Sequence, residues 1–454
     1  MTTISNNKIT KQLPFILFTI ALLAIFSILK MKPSKNTIPP PSETPATIEL
    51  ATEGKTRSKN FSNLELTIDS TEDAKGLGYS GQRKIAYDKK GNTYIAYRKK
   101  YLGLYEIFVA RVTGDDKPEI SGTKNPIATI NAASQRVPAI AVDSKGIIHT
   151  VWYGSDNWQE NNRQIKYAAS SDTGQTWSKW KNIAPVAGYT TRELYWQEHP
   201  TLLVGPDDTL YVVWEGKDTS NKNQQIKFSK SEDGGENWSP WKNIAISKNT
   251  QSRPSLVIDQ KGNLHLFMYS SQGNPMGDIQ QIEYATSLDR GDSWSAWQAI
   301  SDPLFDSRHA SIAIDSHDVI HVAWRAGAST TQPSQIFYSA LANGEWGNIL
   351  PLPTSTQYQF FPNIGITKND QVYITWMENS LPSDFPREDP SSGSSLISFM
   401  QAGIFQDPIR LENQGKLYPN VPEKFDDTNL VPVAYLEQSG LSYVLKLKFL
   451  DIPK

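Results

Sequence analysis

The feature that most constrains this chain is a hairpin pattern written seven times. An apolar run, a polar turn and an alternating run ending on an aromatic or Met recur as KIAYDKKGNTYIAY, AIAVDSKGIIHTVW, TLLVGPDDTLYVVW, SLVIDQKGNLHLFM, SIAIDSHDVIHVAW, NIGITKNDQVYITW and PEKFDDTNLVPVAY. The turn residue and the closing residue pair as Asp88/Tyr97, Asp143/Trp152, Gly205/Trp214, Asp259/Met268, Asp315/Trp324, Thr367/Trp376 and Asp426/Tyr435. Period-two alternation around turn residues specifies antiparallel strands. A third strand follows in QIKYAAS, QIKFSKS, QIEYATS and QIFYSAL, and a short fourth in segments like WKNIA. Such units bury their faces only by stacking on their neighbours. The expected fold is therefore all-β, a seven-bladed β-propeller, with six blades plus an irregular seventh hairpin as the alternative. The last copy lacks a clear fourth strand, and NLELTID, Asn63 to Asp69, is placed to supply it and close the ring.

Between the third and fourth strands stands Ser-x-Asp-x-Gly-x-x-Trp, as SSDTGQTWSKW, SEDGGENWSPW and SLDRGDSWSAW. Gly174, Gly235 and Gly291 suit left-handed backbone, and Asp172, Asp233 and Asp289 suit the capping of turn N–H groups. Trp177, Trp238 and Trp294 are expected to pin each turn to its own blade, a structural role. These turns are identified as Asp boxes, and residues 61–454 resemble the sialidase-like, BNR-repeat propellers. The resemblance implies an arginine triad for a substrate carboxylate, a Tyr–Glu nucleophile pair and an Asp acid/base. QRVPAI looks like the family's Arg-Ile-Pro with Val137 in place of Ile, so Arg136 would open the triad and Arg253 and Arg308 would complete it. Asp156 would be the acid, Tyr338 the nucleophilic tyrosine and Glu215 a catalytic carboxylate. The activity implied is glycoside hydrolysis of exo-sialidase type.

Chain direction sorts the loops. The first-to-second and third-to-fourth strand turns share one face with the boxes, and the remaining loops lie on the other. Once the repeated positions are subtracted, Trp158, Trp196, His199 and His309 remain, all expected on the face opposite the boxes. Arg136, Arg253 and Arg308 precede first strands there, and Glu215 and Arg325 follow second strands. Guanidinium forks suit carboxylates, and indole faces suit sugar rings and cations. Loops around a propeller axis are where function is grafted onto the scaffold.

The N-terminus reads differently. LPFILFTIALLAIFSIL, Leu13 to Leu29, is uncharged, with lysines on both sides. Residues 1–31 are expected to be an uncleaved signal anchor, with a cleaved signal peptide as the alternative. The Pro/Ser/Thr-rich residues 32–60 read as a spacer, and residues 61–454 as the propeller. That arrangement expects a single-pass protein with its globular part outside the cytoplasm, periplasmic or at the cell surface. The first sixty residues carry eight Lys/Arg against three Glu within a chain of net charge −2, so the remainder is acidic and no nucleic-acid partner is expected. Cysteine is absent, and no metal, phosphate-loop or nucleophile-elbow motif appears, so neither cofactor nor metal is expected. The function expected is recognition of an acidic glycan, with hydrolysis as the reaction the resemblance implies. The alternative is a non-catalytic lectin or protein-interaction scaffold of the cell envelope.

Overall fold

The computed structural model describes residues 61–452, apart from residue 80 and segments 115–116, 131–132, 157–162, 184, 186–194, 272–278, 328–332, 381–392, 412–414 and 426–429. The apolar run at residues 13–29 and the spacer lie outside the described residues. Among the described residues no helix is long and apolar enough to cross a membrane.

Seven antiparallel sheets form seven blades. Their innermost strands are Ile85–Tyr87, Gln135–Val142, Gln197–Val204, Ser252–Ile258, Asp306–Ile314, Tyr358–Thr367 and Lys416–Asn420. Blade seven continues through Leu430–Ser439 and Ser442–Asp451, and its outermost strand is Glu65–Thr71, the first strand of the chain. Glu65 stands opposite Lys448 and Thr71 opposite Tyr443, so the two chain ends are hydrogen-bonded into one sheet and no blade is left open. The seventh sheet sets the six-bladed alternative aside. The seventh hairpin is nevertheless irregular: Lys424–Phe425 leaves its own blade and pairs in parallel with Ile366 and Thr367 of blade six.

The apolar cores lie between blades. One cluster joins Val151, Ile165 and Tyr167 of blade two to Leu202, Val212 and Trp214 of blade three. Trp152, Trp214, Trp324 and Trp376, which close the second strands, are all fully buried. Trp152 donates its indole N–H to Gln135 Oε1 (3.0 Å), and Trp214 repeats this with Gln197 (2.8 Å). The buried indole is thereby satisfied as well as packed.

The box turns have the same wiring three times. The Ser170 hydroxyl donates to Asp172 and accepts from Gly174 N–H, while Asp172 accepts the Thr176 N–H. Ser231, Asp233 and Asn237 repeat the pattern, as do Ser287, Asp289 and Ser293. One expectation needs correction: the tryptophans pin their turns to the preceding blade. Trp238 packs on Tyr167 of blade two (5.4 Å between ring centres) and Trp294 on Phe228 of blade three (5.8 Å). Gly235 has φ +91°, and a Cβ there would lie 2.2 Å from the Tyr167 ring, so this glycine serves both the turn and the joint between blades. The boxes are a structural device that joins blades.

Candidate functional site

At the other end of the innermost strands, one backbone irregularity recurs. The pairing of first and second strands slips between Arg136 and Ala139, Glu198 and Thr201, Ser252 and Ser255, Arg308 and Ser311, Phe360 and Asn363, and Leu417 and Asn420. Inside each slip one residue has positive φ: Val137, His199, Arg253, His309, Phe361 and Tyr418, between 48° and 58°. This is a β-bulge, and bulky side chains tolerate that backbone only where their surroundings hold it. Proline follows in five of the six (Pro138, Pro200, Pro254, Pro362, Pro419), where the strand loses a ladder donor without penalty.

Blade one breaks the pattern and fills the axis. The Gly81 carbonyl accepts from Thr201 of blade three (3.2 Å), and a Cβ on Gly81 would approach the carbonyls of Pro254 in blade four and Ala310 in blade five. Lys84 Nζ donates to the Pro138 carbonyl of blade two, Arg83 to the Ile364 carbonyl of blade six (2.8 Å), and Asn420 of blade seven to the Leu77 carbonyl (3.3 Å). Residues that touch all six other blades sit at the axis, and they form its plug. Tyr79, at φ 80°, packs on His199 (5.0 Å) and Phe361 (6.2 Å), with the Arg253 guanidinium 4.6 Å from its ring centre.

Above this floor the side chains that surround the axis form two unlike sides. Blades six and seven give Phe360, Phe361, Met377, Leu417, Tyr418 and Leu436, all apolar or aromatic and buried. Blades two to five give Arg136, Tyr153, Glu198, His199, Glu215, Arg253, Tyr269, Arg308, His309 and Arg325. Glu215 is the hub: its carboxylate accepts from His199 Nδ1 (2.7 Å) and from both the backbone N–H and the guanidinium of Arg253, the latter at 3.3 Å. Burial alone would push the Glu215 carboxyl up, but Arg253 and His199 outweigh it and hold it below the usual range. His199 is pushed down to about 4 by burial and then by Arg253, so near neutral pH it is uncharged with its Nδ1–H on Glu215. His309 lies well below its ordinary value because it is buried and faced by Arg325, Arg253, Arg308 and His199.

The expected site residues separate on this geometry. Arg136, Arg253, Arg308, Arg325, His199, His309 and Glu215 come together around the axis. Arg136 and Arg308 share one register position, before the bulged residue, whereas Arg253 is itself the bulged residue. The expected triad is therefore not three equivalent open forks: Arg253 is tied to Glu215, and Arg308 to Asp306 (2.9 Å). Glu215 is held ionised by the Arg253 guanidinium and by the N–H of neutral His199, so it has no proton to give as an acid. Asp156 does not reach the pit chemistry either. Its carboxylate is held by Lys166 and by Asn182 (2.6 Å), and Asp218, Lys227 and Asn243 repeat that cluster one blade on.

Tyr338 lies at the far end of its blade. Its hydroxyl meets His321 Nδ1 (2.7 Å), whose other nitrogen faces the turn residue Asp315 (3.4 Å). His149/Tyr167/Asp143 and His265/Tyr284/Asp259 are the same arrangement in other blades. The tyrosine that the resemblance offers as nucleophile therefore stands in a structural repeat. Trp196 is half-buried, with Lys217 6.0 Å from its ring centre, and Trp158 lies outside the described residues.

Glu198, His199 and Glu215 hold ligand atoms close enough together to gather a cation. Both carboxylates are already engaged, Glu198 by Arg163 and Glu215 by Arg253, so the group does not fit a metal centre. Sequence reasoning missed Tyr79, Tyr153 and Tyr269, and with them the plug. The signal available was negative: GYSGQRK of blade one lacks the proline that follows five of the six bulges.

No protein-family model and no curated protein matches the chain. Solved structures do. A protein of unknown function from Dyadobacter fermentans aligns at TM-score 0.51 and 14% identity, over 86% of this chain and 98% of its own. An ulvan lyase bound to -[GlcA(1-4)Rha3S]- aligns at TM-score 0.56 and 13% identity, over 85% and 96%. A Hadza microbial sialidase aligns at TM-score 0.49 and 13% identity, over 78% and 73%. At this identity the likeness is one of fold alone, and the fold of this chain is the seven-bladed β-propeller of its seven sheets.

Proposed function

We propose that the axial pit recognises an acidic glycan, and that the chain is a membrane-anchored, extracytoplasmic binding propeller. The observation that carries this reading is charge: the guanidinium groups of Arg136, Arg253, Arg308 and Arg325 come together around the axis against the carboxylates of Glu215 and Asp306, while Glu198 is held by Arg163. A bound anion relieves that field. Aromatic surfaces at Tyr79, Tyr153 and Tyr269 suit a sugar ring beside it. A glycan with glucuronate and sulfate, like the one held by the ulvan lyase of the same fold, has the kind of groups such a pit takes.

Sialidase hydrolysis has less support, because Asp156 and Tyr338 are built into structural clusters. A glycan array with the full-length chain, paired with a fluorogenic sialoside assay, tests the reading. The expected result is binding confined to carboxylated or sulfated glycans without sialoside turnover, and binding that ignores glycan charge overturns it. A second reading, an envelope protein-interaction scaffold, draws on the pairing of Arg253 and Arg308 with their own carboxylates. Anchoring rests on the apolar residues 13–29. Full-length protein should fractionate with membranes, and soluble release with a new N-terminus near residue 30 overturns anchoring.

A further inference from the structure

The bulged position carries His199 in blade three, Arg253 in blade four and His309 in blade five, at φ 52°, 53° and 58°. Each has one buried nitrogen that makes no hydrogen bond among the described residues: His199 Nε2, Arg253 Nε and His309 Nδ1. Buried polar atoms are rarely left unpaired, and each that is costs stability. Three at one register of consecutive blades mark a place prepared for a ligand atom. The three residues share walls. The Tyr79 ring meets both His199 and Arg253, while Phe361 meets both Tyr79 and His309 (5.1 Å). Tyr269 closes the side of His309 (5.6 Å).

The hydrogen-bond chemistry of the three differs. Arg253 Nε always presents a proton, and neutral His309 can present one at Nδ1. His199 gives its Nδ1–H to Glu215, so its Nε2 offers a lone pair that repels an anion until it is protonated. The titratable and charged groups that face His199 are Glu215, Glu198 (3.6 Å), Arg253, Lys84 and His309, with the rings of Tyr79 (5.0 Å) and Tyr153 (5.2 Å) packed against it. Arg253 and Lys84 oppose the imidazolium. An anion at Nε2, with Glu215 behind Nδ1, supports it from both sides.

We propose that His199, Arg253 and His309 form one anion-head site that takes a single carboxylate or sulfate group, and that filling it places a proton on His199. The proposal rests on reading the pit as an acidic-glycan site and adds how the acidic group is held and when. Because the bound state carries one more proton than the free state, affinity falls as pH rises, by at most tenfold per unit. That fall starts above the low pKa of the free histidine and ends at its raised value in the complex.

Calorimetric titration of the full-length chain between about pH 5 and pH 8, in two buffers of different ionisation enthalpy, reads affinity and proton uptake together. The probes are inorganic sulfate, a glucuronate oligosaccharide, a sulfated oligosaccharide and a neutral counterpart. The expected result is uptake of close to one proton with sulfate and with both acidic oligosaccharides. His199→Gln should bind at every pH as weakly as the unaltered chain does at pH 8, with no slope, while melting at nearly the same temperature. Acidic oligosaccharides that bind without proton uptake, or a slope that survives His199→Gln, overturn the anion-head site and leave the acidic-glycan reading in place. Proton-coupled sulfate binding with no oligosaccharide binding does the reverse. Binding of none of the probes ends both.

Discussion

The two faces of this propeller use the same backbone in opposite ways. On the box face both backbone and side chains repeat: Ser170, Asp172 and Thr176 are wired as Ser287, Asp289 and Ser293 are. On the axial face the bulge repeats, but its side chain is Val137, His199, Arg253, His309, Phe361 or Tyr418. Repetition of side chains marks a joint that every blade needs. Repetition of backbone with variable side chains marks a frame that presents different groups to one point. The comparison teaches where to look for function in a repeat fold: at positions whose geometry is constant and whose chemistry is not.

Several changes should separate these roles. Arg253→Ala is expected to have the largest effect, because it acts on both properties. It removes a ligand group and leaves buried Glu215 without its main partner, a loss of about 3–5 kcal/mol in stability. Arg136→Ala should weaken binding of an acidic glycan by about 1.5–3 kcal/mol with little change in melting, because Arg136 is half-buried and carries no ion pair among the described residues. Denaturant unfolding beside binding titrations checks both, and equal stability losses would erase the distinction. Gly235→Ala should cost about 2–3 kcal/mol without touching the pit, since the added Cβ meets the Tyr167 ring at φ +91°. Gly174→Ala, with φ +85° but no atom nearer than 3.7 Å to the added Cβ, should cost about 1–2 kcal/mol.

The pH dependence of stability has two limbs. Burial pushes Glu106 up to about 8 and Glu283 up to about 7, so the native state holds protons that the unfolded chain releases near its ordinary carboxyl values. Stability should therefore fall as pH rises from about 4.5 to about 8, and Glu283→Gln should flatten part of that slope in melting curves. The box aspartates act oppositely and more weakly. Hydrogen bonds from Thr176, Asn237 and Ser293 hold Asp172, Asp233 and Asp289 down at about 2, so their support is present above about pH 4 and is lost as pH falls through about 2. Asp233→Ala should give the smallest effect, a slight drop in melting temperature with no change in ligand binding, because the carboxylate and the Asn237 N–H it caps are both exposed.

Sequence by itself determined the strand order within a blade and favoured seven blades closed by the segment from Asn63 to Asp69, because period-two alternation and turn chemistry are local and were written seven times; the choice against six blades waited for the seventh sheet. It also placed Arg136, His199, Arg253, Arg308, His309 and Arg325 on one face, since strand direction alone fixes which end of a blade a residue reaches. Partners were another matter. That Trp238 grips blade two, that Glu215 holds Arg253 and His199, and that Asp156 and Tyr338 belong to structural clusters depends on which blades are neighbours and on which side of a strand a residue points. A bulge reverses that side without any fixed sequence cost. The plug was decided only in three dimensions. Tyr79, Gly81, Arg83 and Lys84 look like the ordinary approach to a first strand, and only closure of the ring brings six other blades within their reach.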